Sequence, residues 1–195
     1  MQLTKKQTDA IGRILAKTPP HHRDFAGEVQ VVYHDEDDGI IITNGYVLIH
    51  APEPLGFKGP KKPDPNRDDK LNSISHAAFD SPICDFYIVD APFRMEKVSS
   101  SLRKKLKECE IRKCMDGDAA ITVSAAAPDG RTIRSAFACD QIVDAFEAVG
   151  KDAVAYIGKS DLFYTPAPYM LVEPAGNVGN FKAGIHAIVM PVHLQ

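Results

Sequence analysis

The chain has 195 residues and a formal net charge of −3, from 23 lysines and arginines against 26 aspartates and glutamates. This balance excludes a general electrostatic attraction to nucleic acid or to an anionic membrane, so any such binding requires a local basic patch. Hydrophobic residues make up 44% of the sequence, which is typical of a chain with a packed core and argues against disorder. The length suits one large domain or two small ones.

Targeting and redox signals are absent from the sequence. No stretch approaches the roughly 18 consecutive apolar residues of a membrane span, and the opening residues MQLTKKQTDA lack the apolar core of a signal peptide. Neither a zinc knuckle nor a redox motif is indicated, because the cysteines form no C-x-x-C pair. We therefore expect a cytoplasmic protein with reduced thiols and without a metal or cofactor. The cysteines are Cys84, Cys109, Cys114 and Cys139.

The first third of the chain predicts a helix and a hairpin. Thr4 can cap the helix, in which Ile11, Ile14 and Leu15 recur at helical spacing before TPPHH ends it. Two runs rich in Val, Ile and Tyr follow, EVQVVYH and GIIITNGYVLIHA. The acidic segment DEDDG joins these runs and ends in a glycine, so we expect a β-hairpin.

The middle of the chain predicts a loop, a second helix and a second hairpin. Residues 52–83 combine clustered proline, glycine, asparagine and charge without a period, which is typical of a long surface loop. DFYIVDA then predicts a strand, and VSSSLRKKLKECE predicts a helix with Leu102, Leu106 and Cys109 on one side. AAITVSAAAPDGRTIRSAFA predicts two strands around a Pro-Asp-Gly turn.

A third helix and three strands complete the chain. CDQIVDAFEAVG places Ile142, Val143 and Phe146 on one helical face and Gly150 at its end. DAVAYIG, YMLVEP and HAIVMPVHL predict strands. Because a helix followed by antiparallel strands recurs three times, we expect an α+β fold with helices on one face of antiparallel sheets. We divide this fold into an amino-terminal part, 1–90, and a carboxy-terminal part, 91–195.

Two short stretches resemble one known family. TNGYVL, residues 43–48, resembles T-D-G-H-R-L in the middle domain of bacterial DNA polymerase sliding clamps (beta clamps), and VMPVHL, residues 189–194, resembles their terminal V-M-P-M-R-L. LTKKQTDAIGRILAKT precedes the first stretch as that domain's opening helix does. FACDQIVDAFEAVGKDAVAYIG precedes the second like the family's last helix and strand. The resemblance implies a DNA-clamp-like fold and a DNA replication processivity factor.

In that family the two stretches meet at a hydrophobic cleft that receives short linear peptides from polymerases and other clamp-binding proteins. The resemblance implies that the apolar chain end forms part of the cleft wall. The thioether of Met190 would adapt to different ligand side chains, and Gly45 would allow a tight turn. The implied cleft residues are Thr43, Gly45, Tyr46, Val47, Leu48, Val189, Met190, Pro191, Val192 and Leu194.

The family also places helices around a central hole, where basic side chains contact the phosphates of duplex DNA. Residues 94–113 suit that role, because eight basic against three acidic residues give them a net charge of +5 and leave −8 for the rest. A solvated helix face with ordinary charge pairs explains these residues equally well. The candidate DNA contacts are Lys5, Arg13, Lys17, Arg103, Lys104 and Lys107.

The sequence also departs from the family. The chain has about half the length of a bacterial clamp and three helix-plus-strands units where two complete domains need four, so the resemblance does not imply a closed ring. Asn44, Tyr46, Val47 and His193 replace Asp, His, Arg and Arg of the two family motifs. These changes make the implied cleft less charged.

Two alternatives remain open. A monomeric clamp-fold module would bind peptides or regulate a partner without encircling DNA, and the oligomeric state would distinguish it from a ring of several copies. A metal-dependent hydrolase would use carboxylate and imidazole ligands, although acidic residues are common in hairpin turns for backbone reasons alone. No nucleophile or phosphate-binding motif accompanies them, so we expect a protein that is not an enzyme. The hydrolase candidates are His21, His22, Asp24, His34, Asp35, Asp37 and Asp38.

Overall fold

The computed structural model describes residues 3–16, 30–34, 39–44, 46–52, 85–91, 112–113, 118–126, 130–159, 168–176 and 184–195. Within these ranges the helices are α1 (Lys5–Ala16) and α2 (Cys139–Val149). The strands are β1 (Gln30–His34), β2 (Gly39–Thr43), β3 (Val47–Pro52), β4 (Asp85–Ala91), β5 (Arg112–Lys113), β6 (Ala119–Ala126), β7 (Thr132–Ala138), β8 (Ala153–Lys159), β9 (Tyr169–Pro174) and β10 (His186–Val189). The predicted α+β class is confirmed.

The strands form a sheet in the order β1-β2-β3-β10-β9-β8-β4-β6-β5. Strand β7 lies outside this order and pairs with β6. All of these pairs are antiparallel. The predicted hairpin is confirmed as β1 and β2, and the predicted strand pair around Pro-Asp-Gly is confirmed as β6 and β7. β3 pairs with β10 near the end of the chain, which local sequence patterns did not predict.

Helix α1 begins at a reciprocal cap. The hydroxyl of Thr4 accepts a hydrogen bond from the N–H of Gln7 at 3.3 Å, and Oε1 of Gln7 accepts one from the N–H of Thr4 at 3.1 Å. This capping box satisfies two donors that the first turn of a helix leaves open. The predicted cap is therefore confirmed, and Ile11 and Ile14 on the inner face are buried.

Helix α2 ends where α1 begins, so the two helices run antiparallel. Nε2 of Gln7 donates hydrogen bonds to the carbonyl oxygens of Ala148 and Val149 at 3.1 and 3.3 Å. Gly150 closes α2 with a φ of 106° and donates its N–H to the carbonyl of Phe146. The predicted stop at Gly150 is confirmed, because a positive φ favours glycine.

The hydrophobic core lies between the helices and one face of the sheet. Ile11 and Ile14 from α1 and Ile142 and Phe146 from α2 belong to the same buried cluster as alternate residues of β3, β6, β9 and β10. In contrast to β6, where Thr122 is exposed, the strands β3, β9 and β10 also bury their intervening residues on the other face, including Leu171 and Ile188. These strands therefore carry apolar residues on both faces, unlike an antiparallel strand with one solvated face.

Several predictions lie outside the described residues, namely the 52–83 loop beyond Pro52 and the helix predicted around VSSSLRKKLKECE. The division at residue 90 falls within β4, which pairs with β8, and remains a prediction. Neither α1 nor α2 is long and apolar enough to cross a membrane. Of the four cysteines, the structure describes Cys139, which is buried.

Candidate functional site

The two stretches that carry the family resemblance lie side by side. In the pairing of β3 with β10, Val47 stands opposite Val189 and Leu48 stands opposite Ile188. The contact extends past the strand ends, because the N–H of Met190 donates to the carbonyl oxygen of Tyr46 at 2.7 Å. Main-chain hydrogen bonds thus join two segments that more than half the chain separates in sequence.

The side chain of Asn44 organises the turn that precedes β3. Its Oδ1 accepts hydrogen bonds from the N–H groups of Tyr46 and Val47 at 2.9 and 2.8 Å. This is an Asx turn, in which an amide side chain replaces a main-chain acceptor. The main chain of Asn44 also donates to the carbonyl of Val47 at 3.2 Å. Thr43, at the end of β2, stands opposite Leu48, and Gly45 lies outside the described residues.

The last six residues, Met190–Gln195, form a carboxyl-terminal segment that links two parts of the sheet. Strand β10 ends at Val189, so the strand predicted from HAIVMPVHL is too long. Pro191 has no N–H to donate to a strand ladder, which accounts for the early end. The segment instead reaches β7, where the N–H of Val192 donates to the carbonyl of Ala136 at 2.8 Å.

The implied cleft residues whose burial the structure describes divide into an accessible group and a buried group. Val47 and Val189 are at most 1% exposed and belong to the core cluster, and Leu48 is 8% exposed. In this conformation the three support the site from below and offer little surface to a ligand. The accessible apolar surface comes from the turn and the carboxyl-terminal segment. Its partly exposed residues are Tyr46, Met190, Pro191, Val192 and Leu194.

Two contributors to this site were missed in the sequence. The carbonyl of Ala136 on β7 holds Val192, and the carbonyl of Ile14 at the end of α1 accepts a hydrogen bond from Nδ2 of Asn44 at 3.1 Å. Both act through main-chain oxygens, which every residue carries. No residue type could therefore have signalled them.

The candidate DNA contacts on α1 differ in availability. Lys5 is exposed in the first turn. Arg13 instead donates from Nε to Oδ1 of Asp144 at 2.7 Å and from Nη2 to Oε2 of Glu147 at 2.5 Å. A phosphate would have to compete with these two carboxylates for the guanidinium. Lys17, Arg103, Lys104 and Lys107 lie outside the described residues.

The carboxylates also perturb the titration of Arg13. Burial of the guanidinium lowers its pKa, but the hydrogen bond and charge of Asp144, followed by those of Glu147, outweigh that effect. The pKa of Arg13 therefore lies above its ordinary value. Arg13 acts here as a fixed positive charge that joins α1 to α2.

A row of buried polar side chains crosses the sheet face opposite the helices. His50 on β3 stands opposite His186 on β10, and Nδ1 of His186 lies 3.5 Å from Oε2 of Glu173 on β9. Burial raises the pKa of the Tyr156 phenol on β8, and the charge of Glu173 raises it further. A glutamate inside the apolar run YMLVEP was the sequence signal for this row.

Metal-ligand clusters were the basis of the hydrolase alternative. Among the residues that the structure describes, no group of three or more His, Cys, Asp or Glu side chains could hold a metal ion. The main chain of His34 ends β1. The other residues named for that alternative lie in the ranges 17–29 and 35–38, which the structure does not describe. That alternative therefore remains a prediction.

Comparison with known proteins gives one distant likeness. No protein-family model matches the sequence, and no curated protein matches it. The crystal structure of the beta subunit of DNA polymerase III from Thermotoga maritima matches with a TM-score of 0.34 and 13% sequence identity. The match covers 80% of this chain and 42% of that chain, so this chain spans less than half of that subunit. At this TM-score the likeness supports neither a shared site nor a shared function.

Proposed function

We propose that this chain is a non-catalytic, clamp-like replication protein that binds a short linear peptide of a DNA polymerase or another replication protein. The peptide would dock on the surface formed by Tyr46 and the carboxyl-terminal segment Met190–Gln195. The hydrogen bond from Met190 to Tyr46 supports this proposal most directly, because it brings the two resemblance-bearing stretches together. We place the protein in the cytoplasm.

The surface has properties that suit peptide recognition. Tyr46, Met190 and Val192 are partly exposed while the strands beneath them are buried. Aromatic and methionine side chains are enriched at the centres of protein interfaces, and methionine adapts to different partners. The buried strands below hold the main chain in place, which lowers the entropy lost on binding.

The proposed mechanism is a gain in effective concentration without chemistry. A polymerase tethered through one short peptide stays near its template even when each contact alone is weak. Contact with duplex DNA belongs to the same proposal through Lys5, Lys17, Arg103, Lys104 and Lys107, whose charges would act on phosphates without reading sequence.

A selection experiment tests the peptide site. Phage-displayed random short peptides are selected on the full chain, and the recovered peptide is labelled with a fluorophore for polarisation measurements. We expect Tyr46→Ala and Met190→Ala each to weaken its binding roughly ten-fold or more. Leu48 stays unchanged in this test because it is buried.

Leu3→Ala is the matched control, because Leu3 is also partly buried but lies beside the first turn of α1. We expect this variant to keep the wild-type affinity. A selected peptide whose affinity is unchanged in both Tyr46→Ala and Met190→Ala would refute the site.

A monomeric peptide-binding module is the second candidate. The engagement of Arg13 by Asp144 and Glu147 favours it, because this removes one free positive charge from the helix that would face DNA. Solution mass by light scattering, at low and moderate salt, separates the two candidates. A stable dimer or trimer supports a ring, since a ring needs closed symmetric interfaces. A strict monomer excludes encirclement and leaves peptide binding.

A further inference from the structure

Asn44 connects helix α1 to the turn at the proposed peptide site. Its Nδ2 donates to the carbonyl of Ile14 near the carboxyl end of α1 at 3.1 Å. Its Oδ1 accepts from the N–H groups of Tyr46 and Val47 at 2.9 and 2.8 Å. One side chain thus bonds to a helix end and to a hairpin turn that lie 30 residues apart in sequence.

The hydrogen-bond partners determine the orientation of this amide. A flipped amide would set the NH2 group of Asn44 against the N–H groups of Tyr46 and Val47, and its oxygen against the carbonyl of Ile14. Both contacts would then be repulsive, so only the observed orientation satisfies all partners. Asparagine supplies a donor and an acceptor from one short side chain, and no other side chain of this length does both through separate atoms.

We propose that Asn44 is a positioning residue of the peptide site. Its hydrogen bonds fix the position of the Tyr46 carbonyl relative to α1, and thereby the position of the Met190 main chain. The link to Met190 is direct, because the Tyr46 carbonyl accepts the Met190 N–H at 2.7 Å. For its ligand this inference rests on the proposed function. Its geometry does not depend on that function.

The anchoring of α1 makes this role separable from folding. The amino-terminal end of α1 is held by Gln7 at the last carbonyls of α2, and its last turn is held by Arg13 at Asp144 and Glu147. Ile11 and Ile14 are buried in the core. The helix therefore stays docked when Asn44 no longer bonds to Ile14, and the effect of removing that hydrogen bond is confined to the turn.

Two matched substitutions isolate the hydrogen bond to Ile14. Asn44→Asp keeps an oxygen that accepts from Tyr46 and Val47, but it replaces the donor to Ile14 with a second oxygen. Gln7→Glu makes the same chemical change at the other end of α1. It keeps the acceptor for the Thr4 N–H but removes the donor to Ala148 and Val149. The two variants thus weaken the docking of α1 by equivalent changes at opposite ends.

The primary measurement is amide hydrogen exchange at Met190, followed by NMR on the full chain. We expect Asn44→Asp to accelerate exchange at Met190 roughly five-fold or more, the effect of removing about one net hydrogen bond. Gln7→Glu should change it less than about two-fold. The secondary measurement is the affinity for the peptide selected above, which we expect to fall in Asn44→Asp alone.

Each outcome decides the inference. Equal acceleration at Met190 in both variants would show a general structural role, and no acceleration in Asn44→Asp would overturn the positioning role. If Asn44→Asp does not fold, Asn44→Ser is measured against the same control. The serine hydroxyl is too short to form hydrogen bonds to the turn and to the Ile14 carbonyl at the same time. A third outcome would refute the proposed function alone. In it, Asn44→Asp accelerates amide exchange at Met190, but no selected peptide loses affinity in Tyr46→Ala.

Discussion

The guanidinium of Arg13 on α1 donates a hydrogen bond from Nε to Oδ1 of Asp144 on α2 at 2.7 Å. The side chain of Asp144 is 3% exposed and that of Arg13 is 37% exposed, so a buried carboxylate faces a half-buried cation. Removal of one partner from a fully buried pair leaves an uncompensated charge and destabilises by several kcal/mol. Solvent screens Arg13 and reduces this effect.

We therefore expect Arg13→Ala to lower the free energy of unfolding by about 2 kcal/mol. Lys6→Ala is the control on the same helix. Nζ of Lys6 lies 3.7 Å from Oε1 of Glu147, which also pairs with Arg13, but the Lys6 side chain is 53% exposed. An exposed pair of this kind contributes at most about 1 kcal/mol. Urea denaturation measures both variants, and equal decreases would contradict the special role of the Arg13 ion pair.

Gly12, inside α1, and Gly150, just past the end of α2, should respond oppositely to substitution by alanine. Gly150 has a φ of 106°, and an added Cβ would lie 3.1 Å from Nε2 of Gln7. Gly150→Ala should therefore destabilise by about 2 kcal/mol. Gly12 lies inside α1 with nothing within 4 Å of an added Cβ, so Gly12→Ala should stabilise by about 0.5–1 kcal/mol. Thermal unfolding compares them, and equal signs would contradict the interpretation of one of the two positions.

The raised pKa of Tyr156 predicts a loss of stability in alkali. The folded state holds the phenolic proton more tightly than the unfolded state, whose tyrosine has the ordinary pKa of 10.0. The contribution is therefore fully present well below that pH and is lost as the pH rises through the folded pKa. Tyr156→Phe removes this titration. From about pH 8 to about pH 11 the unfolding free energy of the wild type should fall relative to that of the variant, and parallel profiles would contradict the prediction.

The basic segment 94–113 predicts a salt-dependent interaction with duplex DNA. Reversing three charges, with Arg103→Glu, Lys104→Glu and Lys107→Glu together, should weaken binding to a fluorescent duplex. It should also reduce the slope of log affinity against log salt by roughly 0.9 for each phosphate that the variant no longer neutralises. The charge-matched control reverses three exposed residues elsewhere, Arg131, Arg134 and Lys151. If both triple variants weaken DNA binding equally, the effect comes from net charge and not from the segment 94–113.

Much of the fold could be predicted because its signals are local. Thr4 caps α1, Gly150 ends α2, and β1 pairs with β2, as residue preferences at caps and turns indicate. The end of β10 was predicted wrongly, because apolar residues continue to Leu194 while the strand stops before Pro191. Apolar composition alone does not separate a strand from an extended segment that packs on one.

The sequence by itself determined where α1, α2 and the hairpins β1–β2 and β6–β7 form, because caps, periodicity and turn residues act over a few positions. The tertiary structure decided the site, by setting β3 beside β10, Asn44 against Ile14, and Val192 against Ala136. Apart from the side-chain amide of Asn44, these contacts use main-chain groups, which are identical in every residue and carry no local sequence signal. The meeting of β3 and β10 was expected only from the resemblance of their two stretches to one family. Only the packing of the whole chain selects which of these main-chain groups meet.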